Sequence, residues 1–337
     1  TTGQHPGGIV VLPLGEMIYS FTPVQHPAND MTTKTITTHF DYHSIDHNLL
    51  KLDILGHDDP TMIRMLQDLT GLDPVKDIPL DSREVMSLFQ STDALGIKPE
   101  DIGGCKLGAL GVPEFGTDFA MQMLIDTKPK YFSDLVRIAG LAHGTDVWLG
   151  NAQTLIEQGI ATISTAICTR DDIMIYLIGM GLDSEQSFTI MESVRKGKGL
   201  KEEWKEEMRA HNVPEWYIDS CLKIKYMFPK AHAAAYVMMA WRIAYCKVFY
   251  PLAYYAAYFS IRATGFNYEI MCQGKERLEY FYKDYTRRKD SLSKKEQDVY
   301  RDMRIVQEMY ARGFDFTPID IYRALPDRFQ IIDGTLM

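Results

Sequence analysis

Cysteine is scarce in this chain, and it never occurs in a paired motif. The five cysteines, Cys105, Cys168, Cys221, Cys246 and Cys272, are odd in number and far apart, and no Cys-x-x-Cys pair occurs. This pattern argues against a disulfide framework and against a cysteine zinc site. It favours a reducing, cytoplasmic compartment.

Long uncharged hydrophobic runs are also missing. The most apolar stretch, residues 231–263, contains Arg242, Lys247 and Pro251. A membrane-spanning helix needs roughly 20 uninterrupted apolar residues, so we predict a core helix here and no membrane partner. There is no signal peptide, and the chain starts at Thr1, so we expect an internal segment of a longer polypeptide.

What the chain does contain is an ordinary globular composition with an acidic balance. The 337 residues are 46% hydrophobic and 24% charged, with a net charge of −9, a length that suggests about two domains. The acidic average argues against a nucleic-acid partner. The charge is unevenly distributed, however: residues 1–60 hold 2 basic and 7 acidic residues, whereas residues 185–250 hold 11 basic and 8 acidic residues.

Hydrophobic periodicity divides the chain into a short β-rich part and a long helical part. Strand signals cover residues 8–12, 17–24, 35–42 and 49–55, and helical spacing starts after Pro60. Clear helix patterns follow at residues 132–140 and 170–179. We therefore predict an α+β fold, with a small β-sheet portion followed by a predominantly α-helical region.

Three histidines at intervals of four suggest a metal site. His39, His43 and His47 alternate with Asp41 and Asp46, and on a helix such ligands could share one face. On a strand, which the pattern at residues 35–42 favours, that spacing separates ligands by about 13 Å. A single metal ion cannot be chelated over that distance.

Asp53 lies between apolar neighbours in a predicted strand, just before Gly56. Burying a carboxylate is costly unless a cation compensates it, and a divalent ion with oxygen ligands is one such cation. One aspartate cannot build a metal site, so spacing alone favours a structural or capping role.

A basic, glycine-interrupted run occupies residues 195–201. Four positive charges, among them Arg195, Lys196 and Lys198, occur within seven residues. Arg170 precedes the run, and Lys230 and His232 follow it. Such a run suits polyphosphate or a nucleic-acid backbone, although a solvated surface loop explains it equally well.

Small residues separate Lys230, His232 and Tyr236 in one helical frame. His232 and Tyr236 are four residues apart, on one helix face, where a planar base could stack on the tyrosine. Helix packing through the intervening alanines, with the tyrosine in the core, is the simpler interpretation.

Five ordered motifs resemble the C-family bacterial replicative DNA polymerases of the PolC type. They are QHPGGIVV at residues 4–11, KLDILG at 51–56, PEFGT at 113–117, HGTDVW at 143–148 and FPKAHAAAY at 228–236. The resemblance implies that residues 1–60 are the last part of a nucleotidyltransferase-like palm, residues 61–263 the helical fingers, and residues 264–337 a connection toward a duplex-DNA-binding region.

The resemblance also implies roles for individual residues. Asp53 matches the third of three palm aspartates that hold two Mg²⁺ ions, which reverses the interpretation from spacing alone. Residues expected near the incoming dNTP are Arg195, Lys196, Lys198, Lys230, His232, Tyr236 and Arg170, of which Arg170 is the weakest match. His5, Gly7 and Gly8 match a palm motif close to the active site.

The family's other metal-binding aspartates lie in a Pro-Asp-x-Asp motif, which these 337 residues do not contain. We therefore expect no nucleotide incorporation by this chain in isolation. In the parent polymerase we expect primer-template DNA, a sliding clamp and other replisome proteins as partners. The last two would bind through parts of the parent outside this chain. The proofreading exonuclease domain is also expected in the parent, outside these 337 residues.

Three classes of function follow from the residues and the resemblance. The first is template-directed DNA synthesis by a DNA-directed DNA polymerase. The second is a metal-dependent hydrolase built on His39, His43 and His47. The third is a non-catalytic nucleic-acid-binding module that uses the basic run of residues 195–201 and the tyrosine-rich helix of residues 245–258.

Overall fold

The computed structural model describes residues 4–337, which form two compact units. The first unit ends at Asp58 and the second extends from Asp59 to Met337. The change from strand to helix signals near Pro60 therefore falls at the border between the units. The assignment of palm, fingers and connection stays a prediction.

The first unit is built from two small antiparallel sheets. One pairs β1 (Gly8–Val11) with β4 (Leu50–Asp53), and the other pairs β2 (Val24–Gln25) with β3 (Thr37–Thr38). Three of these strands lie inside predicted stretches, but the strand expected over residues 35–42 was wrong in extent. It stops at Thr38, and Asp41 then accepts a hydrogen bond from the amide of His43 and caps a 3₁₀ turn at Tyr42–Ser44.

The second unit is predominantly helical and follows the small sheets of the first, so the predicted α+β class is confirmed. A last hairpin joins β5 (Ile331–Ile332) and β6 (Thr335–Leu336). Its helices, in chain order, are α1 (Asp58–Thr70), α2 (Arg83–Ser87), α3 (Asp118–Thr127), α4 (Phe132–His143), α5 (Gln153–Glu157), α6 (Arg170–Gly179), α7 (Ser184–Arg195), α8 (Glu202–Ala210), α9 (Glu215–Lys223), α10 (Lys230–Phe249), α11 (Pro251–Ala257), α12 (Tyr268–Met271), α13 (Lys275–Arg287) and α14 (Lys294–Ala311).

Local sequence signals explain several of these helix ends. Helix α6 has the predicted bounds, with Asp171 and Asp172 in its first turn, where negative charge stabilises the helix dipole. The side chain of Asp183 accepts hydrogen bonds from two amides at the start of α7. Ser293 and Glu296 form a capping box at the start of α14.

The apolar stretch of residues 231–263 is the core helix that the sequence predicts, but Pro251 interrupts it. Helix α10 ends at Phe249, and α11 starts at Pro251, because proline lacks the N–H that a continuing helix needs. Trp241 of α10 is 1% exposed and donates to the carbonyl of Pro79 at 2.8 Å. Among the helices of residues 4–337, none has the length and apolar character to cross a bilayer.

A buried ion pair joins α10 to α14. Lys247 and Glu308 are both fully buried, with 2.9 Å between Nζ and Oε1. The ammonium group also donates to the carbonyls of Gly108 and Leu110, so its three donors are all used. Glu308 also accepts from the hydroxyl of Tyr255 at 2.6 Å. Burial lowers the pKa of Lys247, and the neighbouring Glu308 carboxylate opposes that shift.

We expect Lys247→Met to lower the free energy of unfolding by about 3–5 kcal/mol, because it leaves the Glu308 carboxylate buried without a counter-ion. Urea unfolding of the 337-residue chain measures the change. Lys76→Met is the control, since Lys76 and Asp73 form an exposed pair, and its loss should stay under about 1 kcal/mol. Equal losses in the two variants would contradict the prediction.

Candidate functional site

The first unit places Asp53 beside the motif of His5, Gly7 and Gly8. Gly8 is the direct antiparallel partner of Asp53, and the amide of Ile54 donates to the carbonyl of Gly7 at 2.7 Å. The amide of Gly7 in turn donates to Nδ1 of His5 at 3.1 Å. Two motifs more than forty residues apart therefore lie side by side in one sheet.

Close packing explains Gly7 of this motif. A Cβ atom on Gly7 would lie 2.5 Å from the carbonyl oxygen of Ile54, which leaves no space for a side chain. A Cβ atom on Gly8 would meet only the exposed side chain of His5, at 2.9 Å from Nδ1. Gly7 thus allows the backbone to approach Ile54, the residue after Asp53.

Asp53 presents an accessible carboxylate rather than a buried one. Its side chain is 47% exposed, and Oδ1 lies 3.3 Å from Nζ of Lys51. Within residues 4–58, no three His, Cys, Asp or Glu side chains bring ligand atoms within 4.8 Å of one another. Asp53 therefore offers one hard oxygen ligand and needs others to hold a divalent ion.

The three histidines of the proposed hydrolase site do not converge in the structure. His39 is hydrogen-bonded to Gln25 at 2.7 Å. His43 and His47 instead lie near opposite oxygens of Asp46, and both side chains are more than 80% exposed. The fold therefore gives no support to a metal-dependent hydrolase at His39, His43 and His47.

In the second unit, residues 227–230 form hydrogen bonds with the ends of neighbouring helices. The amide of Arg170 donates to the carbonyl of Phe228, and the amide of Lys230 donates to Asp171 at 2.6 Å. The amide of Met227 donates to the carbonyl of Arg195 at 3.3 Å. The basic residues at the start of α6, the end of α7 and the start of α10 therefore lie around one segment.

Backbone conformation explains the glycines of the basic run, which the sequence interpretation had linked to the approach of a ligand. Gly197 and Gly199 both have φ of +71°, the left-handed region that favours glycine. A Cβ atom on Gly197 would lie 2.6 Å from the carbonyl oxygen of Lys225. The close approach is therefore to the chain's own backbone, and Lys198, just after the turn at residues 196–197, is exposed.

Aromatic rings line the first turns of α10. His232 stacks on Tyr236 with 4.2 Å between ring centroids, and Phe228 lies 4.9 Å from His232. Both His232 and Tyr236 are half-buried, so Tyr236 is not fully enclosed in the core. One face of the tyrosine already has the histidine as its stacking partner.

Two acidic partners were missed by the sequence interpretation. Glu192 lies in ion-pair range of Arg195, Lys196 and Arg170. The only sequence signal for these pairs is that Arg195 and Lys196 follow Glu192 by three and four residues, a spacing that brings side chains together on one face of a helix. Glu114, in the PEFGT motif, makes a short hydrogen bond to His143, in the HGTDVW motif. Only the tertiary structure brings the latter two residues together.

The bond to Glu114 raises the pKa of His143, and partial burial opposes it. His143 also meets Phe228 and His232 edge-on, at centroid distances of 5.4 and 6.1 Å. His143, held by Glu114, thus packs against the rings of Phe228 and His232 at the start of α10.

Two protein-family models match consecutive parts of this chain. The family model described as the bacterial DNA polymerase III alpha subunit finger domain matches residues 59–212. The model described as the bacterial DNA polymerase III alpha NTPase domain matches residues 1–56. The two matches meet close to the border between the compact units.

Several proteins named DNA polymerase III PolC-type match nearly all of the chain. Identity is 56% over 337 residues with that of Caldanaerobacter subterraneus, 58% over 334 residues with that of Oceanobacillus iheyensis, and 58% over 337 residues with that of Staphylococcus aureus. The matches cover 99–100% of this chain but only 23–24% of each relative. The chain thus spans about a quarter of the length of the curated relatives that it matches.

We expect the His143–Glu114 pair to stabilise the fold most at low pH. Because the pKa of His143 is raised in the folded chain, its contribution is complete below the ordinary value of 6.5 and is lost as the pH rises through the raised value. The difference in free energy of unfolding between the native chain and His143→Gln should shrink over that range, as measured by urea unfolding at successive pH values. A difference that does not change with pH would exclude a protonated His143.

Proposed function

This chain belongs to the PolC-type family of bacterial DNA polymerase III, and we propose that it supplies part of the nucleotidyl-transfer site for template-directed DNA synthesis. The observation that carries the proposal is the 56–58% identity to PolC-type polymerases along the whole chain. Both candidate sites lie within the matched sequence. The proposed substrates are primer-template DNA and an incoming dNTP.

In this proposal residues 1–60 are the end of the palm, residues 61–263 the fingers, and residues 264–337 the connection toward the duplex-DNA-binding region. The border between the compact units at Asp58 supports the first division. The sliding clamp and other replisome proteins would bind through other parts of the parent polymerase.

Asp53 is proposed as one carboxylate ligand of a magnesium site. Its exposed carboxylate at the end of β4 suits a hard divalent ion, and the other ligands would come from outside the 337 residues. Magnesium, when bound, lowers the pKa of a primer hydroxyl and stabilises charge on a triphosphate. The pairing of β1 with β4 keeps the Asp53 backbone in place.

The cations gathered around residues 227–230 are proposed to bind the triphosphate. Arg170, Arg195, Lys196, Lys198 and Lys230 are basic groups from three helix ends, and charge-assisted hydrogen bonds to phosphate are among the strongest that side chains form. His232 and Tyr236 are proposed to border the nascent base pair. Their stacked rings offer an aromatic surface beside these cations.

We expect Asp53→Asn, in a full-length PolC-type polymerase that carries this segment, to abolish primer extension. The amide lacks the charge that a magnesium ligand needs. Affinity for primer-template DNA should change by less than about threefold, since an exposed side chain contributes under about 1 kcal/mol. Asp46→Asn in the same unit is the matched control and should remain active. An active Asp53→Asn polymerase would refute the metal-binding role.

We expect Arg195→Ala in the same polymerase to raise the KM for dNTP about 10- to 100-fold, the loss typical of a charge-assisted hydrogen bond. Lys198→Ala should act in the same direction but less, because the Lys198 side chain is exposed. Steady-state incorporation on a fixed primer-template measures both, with Lys76→Ala as the control. Unchanged kinetics in both variants would make the basic run a solvated surface loop.

A further inference from the structure

Glu192 is the one carboxylate in ion-pair range of three of the proposed phosphate-binding cations within residues 4–337. We propose that Glu192 is a positioning residue, which orients the guanidinium group of Arg195 for the triphosphate of the incoming nucleotide. This inference rests on the proposed function, because it needs Arg195 to bind phosphate.

Glu192 and Arg195 form a bidentate ion pair, a fork of two parallel hydrogen bonds between the guanidinium group and the carboxylate. Nε of Arg195 lies 2.6 Å from Oε1 of Glu192, and Nη2 lies 2.9 Å from Oε2. Both side chains are 23% exposed, so the pair is less accessible to solvent than an ordinary surface pair. A fork of this kind fixes the plane of the guanidinium group, which a single hydrogen bond does not.

The fork leaves most of the donors of Arg195 available. A guanidinium group has five N–H donors, and Glu192 takes two of them. The remaining three belong to Nη1 and Nη2, at the end of the side chain away from the Nε–Oε1 bond. Arg195 can therefore bind an anion without breaking its bond to Glu192.

Lys196 and Arg170 also lie near the Glu192 carboxylate, whose single negative charge does not neutralise all three cations. Nζ of Lys196 lies 3.2 Å from Oε2, and Nη1 of Arg170 lies 3.8 Å from Oε1. One negative charge faces three positive charges, so the cluster keeps an excess of two positive charges for a ligand. The cations also lower the pKa of Glu192, with Arg195 as the main cause, which keeps the carboxylate ionised at neutral pH.

In the part of the chain that the structure describes, Arg170 keeps one side-chain donor unpaired beside Glu192. Its Nε is buried and finds no hydrogen-bond partner among residues 4–337. Buried donors without partners are rare in folded proteins, and a bound ion is one usual explanation. Because Nε is closed to solvent, a phosphate would reach Arg170 only through the exposed part of its side chain, which is 33% exposed overall.

A carboxylate among phosphate-binding cations could instead compete with the phosphate. The two roles predict opposite effects when Glu192 loses its charge. If Glu192 orients Arg195, Glu192→Gln weakens nucleotide binding, because the amide cannot accept both bonds of the fork. If Glu192 competes, the same change strengthens nucleotide binding, because a negative charge is removed from the phosphate site.

The test uses the full-length polymerase and measures kcat and KM for dNTP on a fixed primer-template. We expect Glu192→Gln to raise the KM about 5- to 30-fold while kcat changes less than about threefold, since Glu192 acts on binding through Arg195. Glu185→Gln, at the exposed start of the same helix, is the matched control and should leave both values unchanged. A KM that is unchanged or lower in Glu192→Gln would overturn the proposal.

A double-mutant cycle separates positioning from a loss of stability. If Glu192 acts through Arg195, Glu192→Gln should add less than about a twofold change in KM to a polymerase that already carries Arg195→Ala. Additive effects would show that Glu192 acts by another route and would overturn the proposal. Primer-template affinity, measured in the same variants, should stay at the wild-type value in a folded protein.

The same variants distinguish this inference from the proposed function. If Arg195→Ala raises the KM but Glu192→Gln does not, only the positioning role is wrong. If Arg195→Ala leaves the KM unchanged, Arg195 does not bind the triphosphate, and the positioning role is refuted with it.

Discussion

The buried pair of Lys247 and Glu308 is the interaction on which the helical unit depends most. It joins α10 to α14 and to the carbonyls of Gly108 and Leu110, and both side chains are fully buried, so the loss of one partner leaves the other charge uncompensated. Helix α10 carries Lys230 about 25 Å from Lys247, at a rise of about 1.5 Å per residue. The anchor at one end thus determines where the candidate phosphate-binding end can lie.

At that other end, the helix ends are held together by hydrogen bonds that do not involve the cationic side chains. Residues 227–230 bond to the backbone of Arg195 and Arg170 and to the carboxylate of Asp171. These bonds leave the cationic side chains available for a ligand. Glu192 then arranges the cations within the cluster by charge.

Part of the candidate site could be predicted from the sequence, because some of its parts carry local signals. The basic run and helix 170–179 follow from residue type and spacing, whereas the QHPGG and KLDILG motifs are linked to a site only by the resemblance to a family. The strand at residues 35–42 was predicted too long, since β-branched residues favour strands but the cap at Asp41 starts a turn. The spacing of His39, His43 and His47 gave a metal interpretation that the folded positions do not support.

The sequence by itself determined the α+β class, the change from strand to helix near Pro60, and the family to which the chain belongs. These depend on periodicity and on motif order, which are local properties. Only the tertiary structure decided that Glu114 meets His143, that Gly197 packs on Lys225, and that Arg170 shares Glu192 with Arg195. Such contacts join residues distant in the chain, so they depend on how the helices pack, which no local pattern records.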